Sequence, residues 1–153
     1  MAKKIIDLLL INPSGRKKIY QELGETLTAI EPPLWCRLIA GYARDQGFNV
    51  TILDSEAENL DSAEIAEKVI SVDPKLAVMV VFGHQPSAST QMMIGAGEAC
   101  AAIKKQNDDQ LLLMVGGHIS ALPERTLIEE DVDFVCKGEG PVTIVQLLRC
   151  LDS

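Results

Sequence analysis

Leu111 to Glu124 reads LLLMVGGHISALPE. An unbroken apolar run passes into paired glycines, then His118, a small-residue turn, and Pro123 with charged residues behind it. This is the pattern of a buried strand delivering a pliable turn into a helix: continuous Leu/Val runs belong to strands covered on both faces, and glycine punctuates the step from strand to loop. Gly116 and Gly117 remove side chains at that step, so this stretch has the clearest reason in the chain to meet a ligand.

Working outward, similar apolar runs recur at Ile5 to Ile11, Val50 to Leu53, Leu76 to Phe82 and Phe134 to Cys136, each followed by a stretch of helical character. The alternation predicts parallel strands joined by helical crossovers. Runs one, three and four carry few polar interruptions and are expected at the centre; FNVTILD alternates and the fifth run is short, so both are expected at edges. Pro32 and Pro33 open the first helix, with Leu34, Leu38, Ile39, Tyr42 and Ala43 as its expected apolar stripe and Gly47 as its stop. Asp61 or Ser62 caps a second helix, with Ile65, Val69 and Ile70 inward and Pro74 beyond its end. Ser87 or Ser89 caps a third, running to about Lys105. A fourth runs from Pro123 to Glu130, and a fifth carries Val142, Val145, Leu148 and Leu151. The expected fold is α/β: a five-stranded doubly wound parallel sheet in the flavodoxin-like order 2-1-3-4-5, one domain over residues 1–153.

The chain has 153 residues, with 22 acidic against 14 basic side chains and a net charge of -8. That balance argues against a broad nucleic-acid or anionic-membrane surface. No apolar run approaches the roughly 20 residues of a bilayer span, and Asp7 interrupts the N-terminal run, so neither a membrane segment nor a signal peptide is expected. Cys36, Cys100, Cys136 and Cys150 are scattered without metal-site spacing, and are expected as reduced core thiols of a cytoplasmic protein. The connection from Asn12 to Glu31, about 20 residues, is unusually long for a compact domain. It is either a mobile surface loop or a lid or partner-facing loop.

In open parallel sheets a ligand sits beyond the carboxyl ends of the strands, where the strand order reverses. That places Asn12, Pro13, Ser14 and Gly15, then Gly83, His84, Gln85, Pro86 and Ser87, then Gly116, Gly117, His118 and Ser120 around one site. A phosphoacceptor receiver needs acidic residues where this chain has VVFGHQ and LINPSG. A flavin mononucleotide site wants a hydroxyl-rich loop where NPSGRKK offers only Ser14. No GxGxxG follows the first strand, and the GAG of Gly95 to Gly97 falls inside a helical pattern, where it marks close packing.

Three constellations carry a resemblance: PPLWCRLIAGYARDQGFNVTILD from Pro32, GGHISALPE from Gly116, and VDFVCKGEG ending at Gly140. In that order they resemble the N-terminal cobalamin-binding domain of cobalamin-dependent radical S-adenosylmethionine enzymes, a family of methyltransferases and anaerobic tetrapyrrole cyclases. The resemblance runs from about Ile5 to Leu148 and implies a corrin ring over the carboxyl edge, with the nucleotide tail passing between sheet and helices. On that basis Gly116 and Gly117 clear room for the tail, and Asn12, Ser87 and Ser120 hydrogen-bond the tail or corrin amides. Gly138 and Glu139 fall in the turn that the family carries after strand five, although Pro141 stands where many members have a second acidic residue.

Cobalamin mutases and methionine synthase carry DxHxxG after strand one, whose histidine becomes the lower axial ligand. Here the stretch is NPSGRKK, without a histidine, and the radical family is likewise without that motif. The expected cofactor is therefore cobalamin held without that ligand, with Gly83, His84 and Gln85 shaping the face below cobalt. His118 is either a donor to a corrin amide or a solvated loop residue; His84 is either a turn residue bonded to backbone or an approach to cobalt. The CxxxCxxC loop that holds the family's iron-sulfur cluster and S-adenosylmethionine does not occur here. The chain is expected to be an excised or free-standing cofactor domain, inactive alone, with cobalamin and a radical S-adenosylmethionine barrel, in cis or in trans, as partners. The alternatives from other classes are a cofactor-free regulatory or interaction module and a flavin binder.

Overall fold

The computed structural model of the chain describes residues 6–14, 32–83 and 86–152, with the side chains of Pro86 and Ser87 excepted. Strands β1 (Leu8–Asn12), β2 (Val50–Asp54), β3 (Leu76–Val81), β4 (Leu112–Gly116) and β5 (Phe134–Cys136) form one parallel sheet in the order β2-β1-β3-β4-β5. The expected order and the placing of β2 and β5 at the edges are both met. All residues of β3 and β4 are buried, whereas β2 and β5 are mostly half-buried.

The helices are α1 (Leu34–Asp45), α2 (Ser62–Val72), α3 (Pro86–Gln106), α4 (Gly117–Ala121), α5 (Pro123–Glu129) and α6 (Pro141–Leu151). Alternate strand residues point to opposite faces. Leu8, Leu10, Val78, Val80, Leu113 and Val115 pack with Ile39 and Ala43 of α1 and Ile144 and Leu148 of α6. Leu9, Ile11, Met79, Val81 and Met114 pack with Ile65 and Val69 of α2 and Ala96, Cys100 and Ile103 of α3. Leu8, Leu9, Leu10 and Ile11 are each exposed by 1% or less. At about 1.5–3 kcal/mol for each such side chain, this doubly covered middle is the main source of stability.

Local signals set the helix ends. The Asp61 carboxylate accepts the Glu64 backbone N–H at 2.9 Å and the Glu64 carboxylate accepts the Asp61 N–H at 2.9 Å, a capping box that starts α2. Asp73, at φ +56°, turns the chain out of α2 just before Pro74.

Several expectations are corrected. On α1 the buried residues are Cys36, Ile39, Ala40 and Ala43, while Leu34, Leu38 and Tyr42 are exposed by 60, 52 and 37%. Val142 and Leu151 of α6 are likewise outside, and Ile144 is inside instead. Neither Ser87 nor Ser89 caps α3, because that helix begins at Pro86 and already contains both. Residues 117–121, expected as a turn, form the short helix α4. The GAG segment does mark close packing: a β-carbon on Gly97 would fall 2.1 Å from a Glu130 carboxylate oxygen. Cys36, Cys100 and Cys136 are buried free thiols, but Cys150 is exposed. Burial, with Asp54 adding to it, pushes the Cys36 thiol up to about 12, which removes it as a nucleophile at neutral pH. Among the described residues no helix is long and apolar enough to cross a membrane.

Candidate functional site

β1 and β3 are neighbours, yet the chain leaving β1 crosses through α1 to β2 and the chain leaving β3 crosses through α3 to β4. The two connections depart in opposite directions and cover opposite faces. Their divergence opens a crevice at the carboxyl ends of β1 and β3, the place where open parallel sheets receive ligands.

The sequence candidates gather around that edge. Asn12 closes β1; its amide donates to the Asp54 carboxylate at 2.8 Å, and its carbonyl accepts the Ser55 N–H at 3.1 Å. Pro13 is buried and Ser14 half-buried directly beyond it. Gly83 lies so close to α3 that a β-carbon there would fall 2.2 Å from that of Ala88. His84 and Gln85 lie outside the described residues, and Ser87 is described only as backbone in the first turn of α3.

The glycine pair separates into two different roles. A β-carbon on Gly116 would fall 2.2 Å from the Val81 carbonyl oxygen, so packing against β3 already accounts for that glycine. At Gly117 the nearest atom is the Ser89 β-carbon at 3.5 Å, an ordinary contact that leaves room above the strand end. Gly138, at φ +109°, has nothing within 4 Å of a built β-carbon and needs glycine for its backbone alone.

Ser89, expected only as a helix cap, is a buried junction. Its hydroxyl donates to the Val81 carbonyl at 2.5 Å and accepts the His118 N–H at 3.0 Å, joining β3, α3 and α4. The neighbouring Thr90 hydroxyl sits 3.1 Å from His118 Nδ1. Ser120 accepts the Gly138 N–H at 2.9 Å and donates to the Gly138 carbonyl at 3.3 Å, clasping the turn after β5 to α4. Glu139 is exposed beside it. Sequence reading offered Ser89 only as a helix cap and did not single out Thr90, although a hydroxyl pair near the start of a helix is a visible signal.

A separate cleft of about 560 Å³ lies next to Ser14 between the start of α2 and the middle of α3. Asp61 and Glu64 on its wall are held in the capping box. It opens on the α2/α3 face, away from α1 and α6.

The edge is thus floored by open glycines at 117 and 138 and rimmed by the polar groups of Asn12, Ser14, Thr90, His118 and Ser120, with the Asp54 carboxylate held on Asn12 and Glu139 exposed at the β5 end. Such a surface suits a bulky ligand rich in amides, approached by backbone and hydroxyls, and defines a doubly wound ligand-binding α/β domain. The B12 binding domain family matches residues 21–148, and the chain belongs to that family. It is similar to an uncharacterized methyltransferase of Pyrococcus horikoshii, with 29% identity over 98% of this chain and 30% of the relative. It is also similar to an anaerobic magnesium-protoporphyrin IX monomethyl ester cyclase of Synechocystis, with 28% identity over 95% of this chain and 28% of the relative. The chain therefore spans under a third of these curated relatives. Among solved structures, the radical S-adenosylmethionine methyltransferase TsrM of Kitasatospora setae, with cobalamin and a [4Fe-4S] cluster bound, shares the fold at a TM-score of 0.72. The identity there is 17%, covering 97% of this chain and 25% of TsrM.

Proposed function

We propose that this domain holds cobalamin over the carboxyl edge of its sheet and presents it to a radical S-adenosylmethionine catalytic unit, joined in cis or supplied in trans. The observation that carries the proposal is the family match through residues 21–148, which includes the turns after β3, β4 and β5. The relatives named as a methyltransferase and a cyclase support the catalytic partnership. When bound, cobalamin supplies a cobalt centre able to carry a methyl group. The chain's own residues bind and orient it. Gly117 and Gly138 leave space for the corrin and its tail, and Ser120 fixes the turn that bounds it. Asn12, Pro13, Ser14 and Gly83 form the opposite rim, with Glu139 at the outer edge, and His84, Gln85 and Ser87 are assigned to the site from their place in the sequence after β3. Thr90 engages Nδ1 of His118 and so leaves Nε2 as the ring nitrogen to meet a corrin amide. The residues after β1 contain no histidine for the lower face of cobalt.

The test is direct. Purified protein is incubated with hydroxocobalamin, desalted, and its visible spectrum recorded; retention near one equivalent at micromolar concentration is expected, and a colourless protein overturns the proposal. Gly117→Phe is expected to lose retention with an unchanged circular dichroism spectrum, and a variant that stays coloured removes the role assigned to Gly117. The partnership is tested by adding separately purified radical S-adenosylmethionine barrels, and by reading whether a CxxxCxxC loop is encoded directly after Ser153.

A further inference from the structure

Helix α1 turns one apolar face to the sheet and a second to solvent. Cys36, Ile39, Ala40 and Ala43 fill the inner face, while Leu34, Leu38 and Tyr42, at intervals of four, stand exposed on the outer one. Gly41 is exposed on that outer face, well inside the helix. Glycine is the poorest helix former after proline, so its place there calls for a cause. The fold supplies none: Gly41 has no positive φ, and a β-carbon built on it meets nothing within 4 Å. The missing side chain leaves a hollow beside Leu38, where a second backbone can approach closely.

The charges around this hollow are placed symmetrically. Arg37 stands four residues before Gly41 and Asp45 four residues after it; both are exposed, and neither side chain has a hydrogen bond or ion pair among the described residues. Arg44, the other cation nearby, is drawn back to the Val50 carbonyl at 2.9 Å. At a rise of 1.5 Å per residue, Arg37 and Asp45 lie about 6 Å to either side of the glycine along the helix. A second α1 laid antiparallel about a two-fold axis at Gly41 brings each Arg37 level with the Asp45 of the other copy. Such an isologous contact makes both ion pairs at once and opposes the two helix dipoles, whereas a parallel arrangement sets Arg37 against Arg37 and Asp45 against Asp45. We propose that α1 is a dimer interface between two copies of this chain. Gly41 meets Gly41, Leu38 and Tyr42 of the two copies close over the seam, and reciprocal Arg37 and Asp45 pairs fix the register. α1 runs from the carboxyl edge, where it follows β1, back to the amino edge, where it leads into β2. Antiparallel pairing therefore points the two carboxyl edges in opposite directions and leaves both candidate sites open. The inference goes beyond the cobalamin reading and does not depend on it.

Sedimentation velocity of the intact chain over about 5–500 μM tests the pairing. One helix per protomer is a small interface, so a monomer–dimer equilibrium with a dissociation constant of about 10–100 μM is expected. Leu38→Lys is expected to weaken it about tenfold or more, with an unchanged circular dichroism spectrum. Gly41→Gln fills the hollow with a better helix former, so it should raise the melting temperature of the dilute monomer while weakening the dimer. Arg37→Asp and Asp45→Arg each set like charges against one another and should weaken pairing several-fold, and the double variant should restore it. A chain that stays monomeric at the highest concentration overturns the proposal, whether the face is then bare or serves a different protein. A dimer indifferent to Leu38→Lys, or a double charge variant no better than the single ones, overturns it as well. If Leu38→Lys does not fold, Gly41→Gln and the charge exchange decide the same question. Leu38→Lys should retain hydroxocobalamin like the intact chain, and lost retention in the folded monomer contradicts the separation of the two edges. A colourless intact chain that still dimerises refutes the cobalamin reading alone.

Discussion

A β-carbon at position 116 would fall 2.2 Å from a backbone oxygen of β3, whereas one at position 117 would only touch Ser89 at 3.5 Å. Two adjacent glycines with the same appearance in sequence therefore have different causes. Gly116→Ala forces two hydrogen-bonded strands apart, since Val81 and Gly116 are register partners; it is expected to lower stability by about 2 kcal/mol or more in urea unfolding. Gly117→Ala should change stability by no more than about 0.5 kcal/mol, as at an unremarkable surface position. Equal losses in both variants would refute the distinction. The difference was not legible in LLLMVGGHISALPE, because it depends on a carbonyl supplied by a strand remote in sequence. What could be read was that the side chains had to be absent, not which neighbour required it.

Elements were legible to the extent that their periodicity had one interpretation. β3 and β4 are buried on both faces, and their unbroken apolar runs announced it. On α1 two apolar stripes compete: Leu34, Leu38 and Tyr42 at intervals of four, and Cys36, Ile39, Ala40 and Ala43 beside them. The expected stripe mixed the two, taking Ile39 and Ala43 together with the larger Leu34, Leu38 and Tyr42, but the buried one carries the small side chains that let a helix lie close to a sheet. Helix α4, at five residues, is too short for any period to show. Ser89 resembled a cap because serine often is one, and only tertiary structure reveals the two backbone groups it satisfies. The placing of the site followed from strand order alone, whereas the stacking of Trp35 on Phe82, with ring centroids 4.3 Å apart, depends on two separate segments meeting. Ser89→Ala leaves the Val81 carbonyl and the His118 N–H without this hydroxyl. It is expected to cost about 2 kcal/mol in denaturant unfolding, within the roughly 1–3 kcal/mol for a buried unsatisfied group. A loss below about 0.5 kcal/mol would show that the junction is dispensable.

At the scale of the molecule the two edges of the sheet do different jobs. The carboxyl edge carries open glycines and polar groups with no ion pair among those described there, while the amino edge is tied by ion pairs. Lys75, entering β3, pairs with Asp7 before β1 at 2.9 Å and with Asp152 after α6 at 2.7 Å. Asp7 also accepts the Asn49 backbone N–H at 2.8 Å, which holds the entry to β2. Burial alone would raise the Asp7 carboxyl, but the Lys75 ammonium and the Asn49 N–H outweigh it and hold the group below its ordinary value of 3.8. A depressed folded value means that the unfolded chain binds the proton more readily. The contribution of Asp7 is therefore complete above its ordinary value of 3.8 and is lost as pH falls through the lower folded value. Lys75 has the opposite sign: Asp152 first and Asp7 second raise it above 10.5, so its contribution is complete below 10.5 and lost as pH climbs through the folded value. Asp7→Asn is expected to lower stability at pH 7 by about 1–2 kcal/mol, the scale of a hydrogen bond to a charged group, with the deficit narrowing as pH falls below 3.8. Five strand residues at about 3.3 Å each put the carboxyl edge roughly 17 Å away, so this variant should retain cobalamin like the unaltered protein at pH 7. Urea unfolding at pH 7 and pH 3, paired with the desalting assay at pH 7, separates the two jobs; a pH-independent deficit, or lost retention in a folded variant, would refute the division.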